Sequence, residues 1–312
     1  MKKTWLGSRW CARGRLGFLL GGLAVLAEAT PASAYPHVVQ KGQTLAQIAE
    51  RAYGLVEMER VLVAANGLDA CGGVPIATGM RLEIPALPHH RVQAGETWTT
   101  LATTLLGDEH RQVVLSGANG SSPWMIPAEG SEVVVPYNLR VTVGPSDTLV
   151  TIAQRFLGAK DKAWVLDHYN RFNGNAPHRG DLVLVPITNL KLTPEGHLDA
   201  QAAGGAERAT GGGAREAQRR VDADFPGLLA DVRSGRYVDA VTKGARMLTY
   251  GDLSKPQLAA IHRQLLEAYV ALGADGLGGA SCRAWRENDP AAVLDPVRLS
   301  PKLIAACDGT RR

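Results

Sequence analysis

The sequence predicts an α+β protein: three small β-α-α-β units, then a linker, then a small all-α domain. One short pattern recurs about every 50 residues, a period typical of an array of similar units. After residue 188 the strand-like runs stop, and the chain becomes first rich in glycine and alanine and then helical in its apolar spacing. The predicted divisions are residues 36–86, 89–137 and 139–188 for the three units, 189–220 for a flexible linker and 221–312 for the helical domain.

Each unit opens with a short strand and a capped helix. The openings, at His37, His90 and Val141, alternate apolar and polar residues as a half-buried strand does. A turn follows, and then a threonine stands where a helix N-cap belongs, because its hydroxyl accepts from an otherwise unpaired backbone N–H. In the first unit Gln47 lies three residues after Thr44, which completes a capping box.

The remainder of each unit is predicted to be a helix face, a second helix and a closing strand. Apolar residues follow the threonine with helical spacing, and a glycine ends the helix in the left-handed conformation. A second, shorter helix runs to an asparagine, and a variable loop leads to a strand that ends in proline and pairs antiparallel with the first. The residues at these positions are Gly54, Gly107 and Gly158, and Asn66, Asn119 and Asn170.

This arrangement resembles the LysM domain, a small carbohydrate-binding module. The family motif is roughly Tyr-x-Val-x-x-Gly-Asp-Thr-Leu-x-x-Ile-Ala, then Asn, then Gly-x-x-Leu-x-Ile-Pro, and the first unit fits it well. The second unit departs from it at Glu96 and Trp98, and the third at Ser146. The resemblance covers residues 36–187. It implies binding, without chemistry, of glycans that contain N-acetylglucosamine, in bacteria mainly the glycan strands of peptidoglycan.

The resemblance also implies a glycan groove between the first strand–helix turn and the loop before the last strand. The predicted glycan-binding residues are Gly42, Gln43, Thr44, Asn66 and Ile76 in the first unit, Gly95, Glu96, Thr97, Asn119, Trp124 and Ile126 in the second, and Ser146, Asp147, Thr148 and Asn170 in the third. Two alternatives stay open: the threonines cap helices and the asparagines satisfy loop backbone, and Trp124 packs in the core instead of stacking on a sugar. Trp98 and Phe172 stand at leucine positions of the family and are expected in the core.

The amino terminus predicts an exported protein of the periplasm or cell wall, or of the extracellular space. Residues 1–34 combine a basic start, an apolar run too short to span a bilayer and an Ala-x-Ala site, as a secretory signal peptide does. The whole chain has a net charge of +4, and this excess disappears with residues 1–34, which hold five basic residues and one acidic residue. We therefore expect neither nucleic-acid binding nor a membrane span in the mature chain.

The helical domain, residues 221–312, resembles tetratricopeptide repeats in its helix–glycine–helix pairs around Gly235 and Gly273. Such domains commonly dock proteins, so an envelope protein is a second expected partner, and a simple capping bundle is the alternative. Of the mature cysteines, Cys282 and Cys307 are predicted to form a disulfide, since disulfides persist in oxidising compartments. Cys71 would be left over, and three free thiols are the alternative.

The sequence predicts no enzyme, no cofactor and no metal site. Cys282 with His262 upstream faintly resembles the cysteine site of L,D-transpeptidases, but the glycine before the cysteine is missing and the surroundings are helical. His89 and His90 have no third metal ligand at useful spacing. The resulting hypothesis is non-catalytic glycan binding. The alternatives are an envelope scaffold that acts through its helical domain and, less favoured, a cell-wall-modifying enzyme.

Overall fold

A computed structural model describes residues 34–69, 75–203 and 212–308. The predicted signal peptide, apart from Ala34, lies outside these ranges, and so does Cys71. The described strands are β1 (Ala34–Val38), β2 (Arg81–Pro85), β3 (His89–Arg91), β4 (Glu132–Val134), β5 (Tyr137–Thr142) and β6 (Leu182–Ile187). They pair antiparallel as β1 with β2, β3 with β4 and β5 with β6, which gives three two-stranded sheets within the described ranges.

Two helices lie between the strands of each sheet. They are α1 (Leu45–Tyr53), α2 (Glu59–Ala65), α3 (Trp98–Leu106), α4 (Gln112–Ala118), α5 (Leu149–Phe156) and α6 (Ala163–Asn170). The helices that follow are α7 (Pro194–Ala202), α8 (Gly213–Arg233), α9 (Tyr237–Met247), α10 (Lys255–Ala271), α11 (Asp275–Asn288) and α12 (Pro301–Asp308). The prediction of a mixed α/β region followed by a helical region is confirmed. We call the three strand–helix–helix–strand segments units 1, 2 and 3.

A threonine begins the first helix of every unit. The hydroxyls of Thr44, Thr97 and Thr148 accept from the backbone N–H three residues later, at 3.2, 3.2 and 3.1 Å. The side-chain oxygen at that third position accepts a hydrogen bond from the threonine N–H, so each helix has a complete capping box. The sequence predicted the box for unit 1 alone, because threonine is a less usual partner at the third position than glutamine or glutamate.

An asparagine ties the second helix of each unit to its closing strand. Asn170 Nδ2 donates to the carbonyls of Leu166 and Leu184, both at 2.9 Å, and its Oδ1 accepts from Leu184 N–H at 2.8 Å. Asn66 and Asn119 make the equivalent bonds in units 1 and 2, at 2.7 to 2.9 Å. Each amide therefore fixes the distance and register between helix and strand.

Units 1 and 3 share one hydrophobic core. Leu62 and Leu82 of unit 1 belong to the same buried cluster as Leu139 and Leu166 of unit 3, and all four are fully buried. Unit 2 has a separate core around Trp98, Leu101 and Leu115. A shared core means that units 1 and 3 bury apolar area against each other, so each stabilises the other.

Residues 194–202 and 213–220, within the predicted linker, are helical. Helix α7 packs on α1: Arg51 forms a two-point ion pair with Asp199 at 2.6 and 2.8 Å, and Thr193 N–H donates to Ala52 O at 2.9 Å. A Cβ on Gly196 would lie 2.6 Å from Ala52 O, so glycine permits this close approach. No apolar periodicity marks α7 in the sequence, because polar groups and small residues make the contact.

The helical region begins at Gly213, earlier than the predicted residue 221. It contacts unit 2 directly: Glu132 N–H donates to Gln218 Oε1 at 3.0 Å, and Lys255 N–H donates to Glu129 O at 3.1 Å. A disulfide joins Cys282 of α11 to Cys307 of α12, with the Cα atoms 5.5 Å apart. The resemblance to tetratricopeptide repeats and the envelope partner of residues 221–312 stay predictions.

The asparagine tie can be tested in unit 3. We expect Asn170→Ala to lower the free energy of opening of β6 by about 2–3 kcal/mol, because it leaves the N–H and C=O of Leu184 without their partner. Hydrogen exchange of the amides of residues 182–187 measures this. Asn175→Ala is the control, since Asn175 bonds one carbonyl in an exposed loop, and it should leave β6 unchanged. Equal protection of the amides of residues 182–187 in both variants would show that Asn170 does not hold β6 in place.

Candidate functional site

The turn between the first strand and the first helix has the same construction in each unit. An N–H closes the turn by donating three residues back, from Gln43 to Gln40 at 3.1 Å and from Glu96 to Gln93 at 3.3 Å. Gly42 has a φ of 83° and Gly95 a φ of 80°, the left-handed conformation that this turn requires. The third turn closes likewise, but Ser146 does not take a positive φ, so that turn needs no glycine.

The side chain just before each capping threonine folds back on its own turn. Gln43 Oε1 lies 3.0 Å from His37 Nε2 and accepts from Gln40 N–H at 2.8 Å. The charged counterpart is Glu96, which lies 2.8 Å from His90 Nε2 and accepts from Gln93 N–H at 2.7 Å.

In unit 3 the same position is Asp147. It accepts from Gly144 N–H at 2.9 Å and pairs with Arg155 at 2.7 Å. Gln43, Glu96 and Asp147 therefore shape the predicted binding turns, and the exposed turn backbone, which includes Gly42 and Gly95, is what faces solvent.

The loop before the closing strand of unit 2 presents an exposed apolar surface. The exposed fractions of Trp124 and Ile126 are 83% and 79%, and Met125 between them is also exposed. Of the two alternatives for Trp124, the structure shows the exposed one. Trp98 is buried, as expected, and Phe172 packs against the shared core of units 1 and 3. In unit 1 the corresponding residue, Ile76, is half-buried.

The side chains of Asn66, Asn119 and Asn170, which are predicted glycan contacts, are engaged within their own units. Both polar atoms of each amide are already bonded to backbone groups of the helix and the closing strand. The Oδ1 of Asn119 accepts a further bond from Arg215 at 2.6 Å. The hydroxyls of Thr44, Thr97 and Thr148 are likewise engaged as helix caps. Direct glycan contact by these six residues stays a prediction.

Two features of this region were not predicted. Trp164, on α6, is a second exposed indole, with 62% of its surface accessible. Units 2 and 3 also meet through charged residues: Arg171 Nη2 lies 2.7 Å from Asp108 Oδ1, and the Arg111 guanidinium lies 4.7 Å from the centre of the Tyr169 ring. No spacing rule could have paired these residues, because they come from different units.

Among the described residues, no helix has the length and apolar character needed to cross a membrane. Their His, Cys, Asp and Glu side chains do not gather in groups of three or more that could hold a metal ion. Cys282, the candidate nucleophile of the faint transpeptidase resemblance, is bound in the disulfide with Cys307.

Comparison with known proteins identifies one segment of the chain. Residues 37–85, which form most of unit 1, match the LysM domain family. A LysM domain indicates binding of peptidoglycan or other glycans with N-acetylglucosamine, and it is found in envelope or extracellular proteins. Over 122 residues the chain is also 34% identical to two proteins of Mycobacterium tuberculosis, Esterase MT1326 of strain CDC 1551 and Esterase Rv1288 of strain H37Rv.

The aligned segment covers 39% of this chain and 26% of each esterase, so the chain spans about a quarter of the length of these curated relatives. The prediction that the protein is not an enzyme is contradicted by this similarity, because both relatives are named esterases. Local catalytic motifs do not reveal this similarity, because it lies in an alignment over 122 residues.

The contact between His90 and Glu96 should make the titration of the Glu96 carboxyl depend on the histidine. Burial raises the pKa of Glu96, but the bonds from Gln93 N–H and His90 outweigh it and lower the pKa below the ordinary 4.5. Because folding lowers this pKa, the ionised form stabilises the fold above pH 4.5, and that contribution is lost as the pH falls through the lowered value. We expect a carboxyl titration by NMR to show a midpoint below 4.5, and His90→Ala to raise it.

The matched control is His37→Ala, which removes the equivalent histidine from unit 1, where the partner is the neutral Gln43. It should leave the titration of Glu96 unchanged. An unshifted Glu96 midpoint in His90→Ala would show that the histidine does not hold the carboxylate.

Proposed function

We propose that this protein binds glycans containing N-acetylglucosamine, in bacteria the glycan strands of peptidoglycan, through three LysM-like units. The observation that carries the proposal is the LysM match of residues 37–85. The capping box and the asparagine tie of that segment recur in units 2 and 3 with nearly the same hydrogen-bond lengths. This repetition supports extending the assignment to residues 89–137 and 139–188.

The binding surface in each unit is the exposed turn before the first helix together with the loop before the closing strand. Exposed backbone groups of the turn offer hydrogen bonds to the hydroxyl and acetamido groups of a sugar. In unit 2 the exposed indole of Trp124 adds an apolar face for a pyranose ring, with Ile126 beside it.

The same proposal places the mature protein in the cell envelope or outside the cell. The support is the signal-peptide pattern of residues 1–34 and the balance of charge that its removal leaves. A cell-wall polymer presents many identical sugars, so several weak sites on one chain bind it with a high combined affinity. The shared core of units 1 and 3 would hold two of these sites in a fixed relation.

The role of Trp124 is testable by a matched pair of variants. We expect Trp124→Ala to weaken binding of the mature chain to purified sacculi by about 2- to 13-fold, because stacking of an aromatic ring contributes about 0.5–1.5 kcal/mol. Trp164→Ala removes an exposed indole from a helix outside the two loops and should bind as the parent does. Binding is measured as the fraction sedimenting with sacculi. Equal losses in both variants would contradict a specific role for Trp124.

Binding through several weak sites predicts a dependence on glycan length. We expect the mature chain to bind polymeric glycan about 100-fold or more tightly than a tetrasaccharide of N-acetylglucosamine, because the second and third contacts are intramolecular. Competition of the tetrasaccharide against sacculi measures the ratio. The full chain is required, since units 1 and 3 would expose their shared core if separated. A tetrasaccharide that competes as well as the polymer would indicate a single site.

Ester hydrolysis is a second candidate function. The observation that favours it is the 34% identity over 122 residues to two proteins named esterases. The test is release of p-nitrophenol from p-nitrophenyl butyrate by the mature chain. Hydrolysis above the buffer rate that a serine-directed inhibitor abolishes would support an esterase site in this chain. A rate equal to buffer would leave glycan binding as the proposed function.

A further inference from the structure

A cavity of about 720 Å³ lies apart from the glycan-binding turns. It is bounded by the start of unit 2, by the segment after β6 and by the first turns of α8. Its volume is within the range of small-molecule sites, about 300–1,000 Å³. Helix α7 contributes His197 to the lining.

The lining of this cavity contains three basic residues, Lys191, Arg215 and Arg219. Its acidic residue among the described lining, Glu216, is already paired with Arg219 at 2.9 Å. Arg219 is thereby neutralised in part. Lys191 and Arg215 leave the described wall with a net positive charge, which favours an anionic ligand.

Arg215 is the basic group of this lining whose charge is disfavoured by burial, since burial lowers its pKa. Its guanidinium donates to Asn119 Oδ1 at 2.6 Å and to Glu132 O at 3.4 Å, and it makes no salt bridge with a carboxylate in the part of the chain that the structure describes. Glu132 attracts it electrostatically, but that carboxylate accepts from the backbone N–H of Arg215 at 2.8 Å. A partly buried guanidinium gains most from a directly bonded anion.

His89 lies at the cavity wall, with its Nδ1 buried and the backbone of Leu87 as the hydrogen-bonding group beside the ring. The ring lies against the start of α8, where a Cβ on Gly212 would be 3.2 Å from His89 Nε2 and where φ is +100°. Glycine at this position therefore allows the helix start and the histidine to meet at the cavity wall.

The lining also contains five apolar side chains: Ala86, Leu87, Val134, Leu190 and Leu192. A small inorganic anion would leave these side chains without contacts, and a neutral hydrocarbon would leave Arg215 without a counter-ion. A neutral sugar would match neither the basic nor the apolar groups, so this cavity is distinct from the proposed glycan surface.

We propose that this cavity binds an amphipathic anion, that is, a carboxylate or phosphate head group on an apolar chain. The head group bonds Arg215, with Lys191 adding charge at the entrance, and the chain lies along the leucine wall. The inference does not rest on the proposed glycan binding, and either can fail without the other.

The test uses the full mature chain and four probes: decanoate, decyl phosphate, decanol and acetate. By isothermal titration calorimetry we expect decanoate or decyl phosphate to bind at least tenfold more tightly than decanol and than acetate. Whichever of the two anionic probes binds more tightly then shows whether the ligand's head group is a carboxylate or a phosphate. Equal binding of decanol, or no binding of either anionic probe, would overturn the proposal.

Three variants locate the site. Arg215→Gln should weaken the preferred probe by at least tenfold, and Lys191→Gln, which changes an exposed residue, should weaken it by about threefold. Arg233→Gln is the charge-matched control, because Arg233 is exposed at the far end of α8, and it should bind as the parent does. If Arg215→Gln fails to fold by circular dichroism, Lys191→Gln decides. Parent-like binding in Lys191→Gln and in any folded Arg215→Gln would overturn the site.

Discussion

The amide of one asparagine per unit is the interaction on which the rest of this structure depends. A two-stranded sheet is at best marginally stable by itself, so each hairpin needs a helix packed on it and held in register. Asn66, Asn119 and Asn170 provide this by bonding the last turn of the helix and both backbone groups of one strand residue at once. A shorter or apolar side chain could not satisfy the three backbone groups together.

This tie separates structural from binding roles within a unit. The polar residues that recur in all three units, the threonine caps and the asparagines, form their hydrogen bonds with backbone groups. The surface available to a ligand is therefore the exposed backbone of the turn and the variable loop. Trp124 stands out in that loop because its neighbours provide no core to cover it, and an exposed apolar surface of this kind commonly marks an interaction site.

The units differ in what they pack against. Units 1 and 3 share one hydrophobic core. Helix α7 is bonded to α1 through the Arg51–Asp199 ion pair and the hydrogen bond from Thr193 N–H to Ala52 O. Unit 2 keeps its own core and contacts the helical region through Gln218 and Lys255. The amphipathic cavity lies where these two arrangements meet, since its wall combines β3, the chain after β6 and the start of α8.

The sequence by itself determined the repeated local structure. Threonine caps, helical apolar spacing and helix-ending glycines act within a few residues of each other, so the strands and helices of the units and of the helical region were predictable, and so was the burial of Trp98. The pairing of Cys282 with Cys307 also followed from their place in one small domain. Tertiary structure decided everything that depends on distant residues meeting. It turned part of the predicted linker into α7, exposed Trp124, assigned the asparagine amides to the strands and brought Arg215 to a cavity beside His89. The physical reason is that caps and periodicity are short-range properties, whereas burial and the pairing of charges are set by which surfaces come together.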